Sequence, residues 1–164
     1  MENSANQAES RELSSEPSCE LCAQPGGEVV WQSGSMRIVL VDDAHYPGFC
    51  RVIWNAHAKE MTDLSAADRA CLMDIVWQVE AAVREVMQPL KMNVASLGNM
   101  VPHLHWHVIP RFADDAHFPA PIWAEAKRVP DAGLLEIRRA KLPALRDAIL
   151  RHLDAGKSKK QTLT

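Results

Sequence analysis

Several features are scarce or missing in this chain of 164 residues, and each absence excludes something. No apolar run approaches the length of a membrane span, and residues 1–17, rich in Ser, Glu, Asn and Gln, hold no apolar core of the kind a signal peptide needs. The expected location is therefore cytoplasmic, with no membrane partner. Positive charge is not in excess: 18 Lys and Arg against 21 Asp and Glu leave a net charge of −3, and the lysine-rich run Lys157-Ser158-Lys159-Lys160 lies in the tail. That balance does not indicate a nucleic-acid partner, although backbone N–H groups and imidazoles can hold a small phosphate-bearing ligand without a basic field. There are four cysteines, Cys19, Cys22, Cys50 and Cys71, and in a cytosolic protein disulfides among them are not expected. No internal repeat is present. The length suits one domain with tails.

Histidine is sparse too, seven in all, yet three fall within His103-Leu104-His105-Trp106-His107. A strand turns alternate side chains to opposite faces with a rise of about 3.3 Å per residue. The three imidazoles then line one face about 6.6 Å apart, with Leu104, Trp106 and Val108 buried behind them. Pro102 precedes this strand and Pro110 is expected to stop it, since proline supplies no ladder donor. Packing alone does not explain such a row, because each buried ring must find a hydrogen-bond partner. Neutral imidazole, with a reference pKa of about 6.5, is a competent nucleophile at pH 7.

Around this segment the pattern predicts an α+β domain with an antiparallel sheet of about five strands and one long helix. Glu28 to Gln32 and Met36 to Val41 read as a hairpin joined by Ser33-Gly34-Ser35, and Phe49 to Trp54 as a third strand. Ser65 caps a helix whose apolar residues Leu72, Ile75, Val76, Val79, Val83 and Val86 follow at helical spacing up to Pro89. Lys91 to Leu97 returns as a strand antiparallel to the histidine strand. Leu134 to Leu153 is helical with an interruption at Pro143. The expected organisation is a polar leader over 1–17, a domain over 18–125, a helical extension over 126–155 and a polar tail over 156–164. Cys50 and Cys71 sit in apolar runs and are expected in the core, as are Trp31, Trp54 and Trp106. Trp123 could wall a base pocket or a dimer seam.

The stretch Gly98-Asn99-Met100-Val101-Pro102-His103-Leu104-His105-Trp106-His107-Val108-Ile109-Pro110-Arg111 resembles the signature of the histidine triad hydrolases and transferases, His-φ-His-φ-His-φ-φ with φ apolar. Pro47 to Trp54 followed by His57 is similar to that family's turn-and-strand segment. The resemblance implies the family's α+β fold, a homodimer sharing an extended sheet, and hydrolysis of a small-molecule nucleotide substrate with no organic cofactor. In it, His105 attacks the α-phosphorus, with its other ring nitrogen donating to the carbonyl of His103. His107 stabilises the phosphoryl oxygens and assists the leaving group. Asn99 either donates to phosphate or serves as a turn residue, Asn93 either contacts phosphate or closes a strand edge, and Asp42 or Asp43 either holds a ribose hydroxyl or forms a turn. Many relatives carry a fourth histidine where this chain has Phe49. The alternatives are a nucleotidyltransferase and a zinc-stabilised nucleotide-binding adaptor with vestigial catalysis.

Cys19-x-x-Cys22 by itself fits redox or metal use, but the chain lacks the βαβ setting of a redox pair. Some bacterial histidine triad proteins gather such a pair around zinc with two histidines, and the matching positions here are Cys19, Cys22, His57 and His103. That resemblance implies a structural zinc; two reduced thiols are the alternative.

Overall fold

The computed structural model describes residues 16–161, with side chains to Gly156, so nearly all of the polar leader lies outside the described residues. Five strands form one antiparallel sheet: β1 (Glu28–Gln32), β2 (Met36–Leu40), β3 (Cys50–Trp54), β4 (Lys91–Ala95) and β5 (His105–Arg111), in the spatial order β1-β2-β3-β5-β4. Four α-helices accompany it: α1 (Glu20–Ala23), α2 (Ala66–Met87), α3 (Ala132–Arg139) and α4 (Leu142–Gln161). Among the described residues no helix is long and apolar enough to cross a membrane.

The long helix forms where its cap and stripe place it. Ser65 Oγ accepts the Asp68 N–H at 3.1 Å, and Asp68 puts a negative charge at the positive end of the helix dipole. Leu72, Val76, Val79, Val83 and Met87 form the buried stripe, and Gln88 ends the helix in a left-handed conformation, φ 51°, just before Pro89. Cys71 is exposed, contrary to the expectation of a core position, because it precedes Leu72 by one residue and one helical step turns it about 100° off the stripe. Cys50 is buried.

The C-terminal pattern resolves into two helices. Pro143 does not interrupt a helix: it is the second residue of α4, in the first turn, where its missing N–H costs nothing. Leu145, Ala148, Ile149 and Leu153 recur at helical spacing and join the same core as the α2 stripe. α4 continues to Gln161, so the segment from Gly156 that reads as a tail is helical at least that far.

One sheet face packs on α2 and α4 through Ile38, Leu40, Cys50, Val52, Leu104 and Val108, with Trp31 and Trp106 partly buried and Trp54 buried at the margin. The other face carries the histidines. Pro110 does not stop β5. The pairing with β3 ends where Cys50 lies opposite Val108, so Pro110 has a neighbour strand on one side only, Met92 of β4. A proline is tolerated there for the same reason it is tolerated at an edge.

Candidate active site and metal centre

Strand register assembles the site. On β5, His105 lies opposite Ile53 and His107 opposite Arg51 of β3, while Ala95 of β4 flanks His107 on the other side. These residues leave the same face as Phe49, by the period of two along each strand. The regular strand begins at His105, one residue pair later than the alternation suggests. Leu104 still bonds its neighbours, donating to the Ala58 carbonyl at 2.7 Å and accepting from the Trp54 N–H at 3.1 Å, so His103 is held on the same face next to His57.

His105 is buried, and its Nδ1 lies 2.6 Å from the carbonyl oxygen of His103. A carbonyl only accepts, so Nδ1 carries the proton and the Nε2 lone pair is left free. Burial lowers its pKa, the bond to the His103 carbonyl opposes this, and the charge of Arg51 adds to the lowering. The ring of His107 stands edge-on to that of His105 with centroids 4.7 Å apart. Burial first, then the proximity of His105 and Arg51, pushes the His107 pKa down to about 3, and its buried Nδ1 has no hydrogen-bond partner among the described residues. Both imidazoles are thus neutral at physiological pH.

Two aromatic rings complete the wall. Phe49 is buried with its centroid 5.5 Å from that of His107. Trp123 approaches His107 with ring centroids 5.1 Å apart while remaining 53% exposed, so it is neither a core residue nor covered by the described residues. A buried ion pair fixes the loop that brings it there. Arg111 donates through Nε to Asp115 Oδ2 at 2.7 Å and through Nη2 to the Ala120 carbonyl, and Asp115 accepts the backbone N–H groups of Phe112, His117 and Phe118. Burial would raise the Asp115 pKa, but Arg111 and these N–H donors win and hold it at about 2.

The other predicted contacts are placed unequally. Asn93 Oδ1 accepts from Arg111 Nη1, so Asn93 belongs to this loop clamp. Asn99 is exposed on the loop that leads to the histidines. Asp42 is exposed, whereas Asp43 accepts the N–H groups of His45 and Tyr46 and forms the turn. Arg51, Arg111 and Asp115 were not singled out by sequence. Strand alternation from Phe49 puts Arg51 on the face of Phe49 and Ile53, but its register against His107 is a tertiary fact.

Cys19, Cys22, His57 and His103 come together with their ligand atoms all within 4.8 Å of one another. Cys19 Sγ and Cys22 Sγ lie 3.4 and 3.5 Å from His103 Nδ1, and Cys22 Sγ lies 3.4 Å from His57 Nδ1. His103 donates from Nε2 to the Trp54 carbonyl at 2.6 Å, which directs the Nδ1 lone pair into the cluster, as a second partner does for a metal-bound histidine. Two thiols and two imidazoles are a donor set suited to tetrahedral zinc. Helix α1 carries one cysteine into place. Arg37, buried on β2, donates to the carbonyls of Leu21, Gln24 and Pro25 and so ties the end of that helix to the sheet.

Compared with known protein families, residues 24–114 match the HIT domain. The chain belongs to the HIT family. It is 30% identical over 98 residues to a protein of Mycobacterium tuberculosis named AP-4-A phosphorylase, a match that spans 56% of this chain and about half, 50%, of that relative's length. Among solved structures, the HIT fold recurs in a histidine triad protein of Bradyrhizobium japonicum, with a TM-score of 0.61, 26% identity, and coverage of 76% of this chain and 90% of that one. A histidine triad protein of Marinobacter aquaeolei gives a TM-score of 0.61 at 27% identity over 79% and 95% of the two chains. A zinc-bound histidine triad family protein of Mycobacterium smegmatis shares the fold at 21% identity, with a TM-score of 0.57 over 84% and 96%.

Proposed function

We propose that this HIT protein is a nucleotide phosphohydrolase that cleaves a nucleoside phosphoanhydride or phosphoramidate at the α-phosphorus through a nucleotidyl-histidine intermediate. The observation that carries this is the 2.6 Å bond from His105 Nδ1 to the His103 carbonyl, which leaves a neutral imidazole with its Nε2 lone pair unengaged on the open side of the ring. Nε2 forms a bond to phosphorus while the bond to the leaving group breaks and the leaving group takes the electron pair. Water then attacks the same phosphorus, the P–N bond breaks back to His105, and a nucleoside monophosphate and a proton are released. Neutral His107, beside His105, donates a hydrogen bond to the phosphoryl oxygens. In this reading Asn99 contacts phosphate and Asp42 the ribose, while Asn93 acts only by holding Arg111. The protein works in the cytoplasm as a homodimer, for which the sheet offers β4 as an edge strand.

Cys19, Cys22, His57 and His103 would hold a zinc ion whose part is structural: with four protein ligands it leaves no open position for substrate. The M. smegmatis protein that shares the fold is zinc-bound. This assignment leaves His105 and His107 for chemistry.

The name of the M. tuberculosis relative favours a second reading, phosphorolysis, in which inorganic phosphate replaces water. Product analysis with diadenosine tetraphosphate tests both. Hydrolysis yields AMP and ATP with or without phosphate, phosphorolysis yields ADP and ATP only with it, and His105→Ala should abolish either. No turnover of dinucleotides or phosphoramidates by zinc-loaded protein would leave the binding-protein alternative.

A further inference from the structure

Arg51 is a charged residue of the histidine face that neither the zinc cluster, the histidine pair nor the Arg111 clamp uses. It stands directly opposite His107 on the neighbouring strand, so the two side chains leave the same face with Cβ atoms about 5 Å apart. Its guanidinium carbon lies 5.5 Å from the centroid of the Phe49 ring, the same ring that lies 5.5 Å from His107. Phe49 thus provides the surface on which the cation rests beside the site.

The fork of donors is underused. Among the described residues Arg51 Nη1 makes one long contact, 3.4 Å, with the Gly26 carbonyl, and its buried Nε has no partner. Glu20 and Asp43 are the acids whose charge reaches it, and burial works against its charged form more strongly than they support it. A guanidinium with spare donors beside two neutral imidazoles is short of an anion, and the planar fork matches phosphate.

We propose that Arg51 binds the leaving phosphate of the substrate and thereby makes the protein prefer nucleotide anhydrides, whose leaving group is a phosphate chain, over nucleoside phosphoramidates, whose leaving group is an amine. The proposal rests on His105 being the nucleophile. When the P–O bond of an anhydride breaks, its electron pair stays on the bridging oxygen, which becomes a terminal oxygen of the departing phosphate and gains negative charge. Arg51 offsets that charge. When a P–N bond to an amine breaks, the amine takes the electron pair and a proton from solvent water and departs without net negative charge, so a cation there contributes little.

The test uses the full chain loaded with zinc, as wild type, Arg51→Met, Arg51→Lys and His105→Ala. The kcat/KM values are measured for diadenosine tetraphosphate and for adenosine 5′-phosphoramidate. Their ratio does not depend on the fraction of protein that is folded, so loss of structure cannot imitate the result. Arg51→Met should lower the ratio of tetraphosphate to phosphoramidate roughly 10- to 100-fold, the worth of a charge-assisted hydrogen bond. Arg51→Lys should recover part of it. A ratio unchanged in Arg51→Met overturns the proposal. Turnover that survives in His105→Ala removes the nucleophile reading, whereas turnover that needs His105 with an unchanged Arg51 ratio removes only the leaving-group assignment.

Discussion

Removal of one cysteine from the metal cluster separates a zinc centre from a pair of reduced thiols. Cys22 approaches both His57 and His103, so Cys22→Ser takes away a thiol that touches both imidazoles. Zinc that binds only the folded chain stabilises it by about 2.7 kcal/mol when free metal stands at a hundred times its Kd, and about 4.1 kcal/mol at a thousand times. In a domain of this size 1 kcal/mol corresponds to roughly 2–4 °C in Tm, so chelation should lower Tm by about 5–16 °C. Complete unfolding is not expected. Arg37 holds three carbonyls at the end of α1 without any help from metal, and the main core lies on the opposite face of the sheet. The assay is metal content by mass spectrometry together with thermal melts before and after chelation. Wild type should carry about one zinc per chain; Cys22→Ser and His103→Ala should carry less and respond little to chelator. His107→Ala should keep its zinc, because His107 is not in the cluster, yet lose turnover by roughly 10²–10³-fold as a transition-state donor. Metal-free wild type that takes up no zinc and melts as before would leave the four residues as two reduced thiols and two ordinary histidines.

Other expectations follow from the same geometry. Asp115→Ala leaves the buried Arg111 guanidinium without its carboxylate, and should cost about 3–5 kcal/mol in a denaturant titration; a change near zero would mean the loop clamp is not needed. Because His107 has its pKa depressed to about 3 in the folded chain against about 6.5 unfolded, the unfolded state binds the extra proton between those values. Its contribution to stability is therefore complete above pH 6.5 and lost as pH falls toward 3, and His107→Gln should flatten the stability profile over that window. Parallel profiles for the two proteins would contradict the burial of a neutral ring.

Much of the site was readable because alternation is local. His103-x-His105-x-His107 puts three rings on one face whatever surrounds the strand, and the Ser65 cap with the Leu72-to-Val83 stripe specifies a helix from its own spacing. What escaped depends on neighbours distant in sequence. Pro110 looked like a stop, and continues the strand because β3 has already ended beside it. Pro143 looked like a break, and serves as a helix start because the chain turns at Ala140 before it. Arg51 was invisible as a site residue because only the pairing of β3 with β5 sets it against His107. The division of labour among the histidines likewise depends on which carbonyl each ring meets, Trp54 for His103 and His103 for His105.

If His105 is the nucleophile, its Nε2 takes the nucleotide from the substrate before water does. Rapid acid-free quenching of wild-type protein with diadenosine tetraphosphate, followed by intact-mass analysis and peptide mapping, tests it directly. The expected result is an adduct of one adenylyl group per active chain, located on His105 and absent from His105→Ala. An adduct on another residue, or His105→Ala turning over the dinucleotide at the wild-type rate, would contradict it.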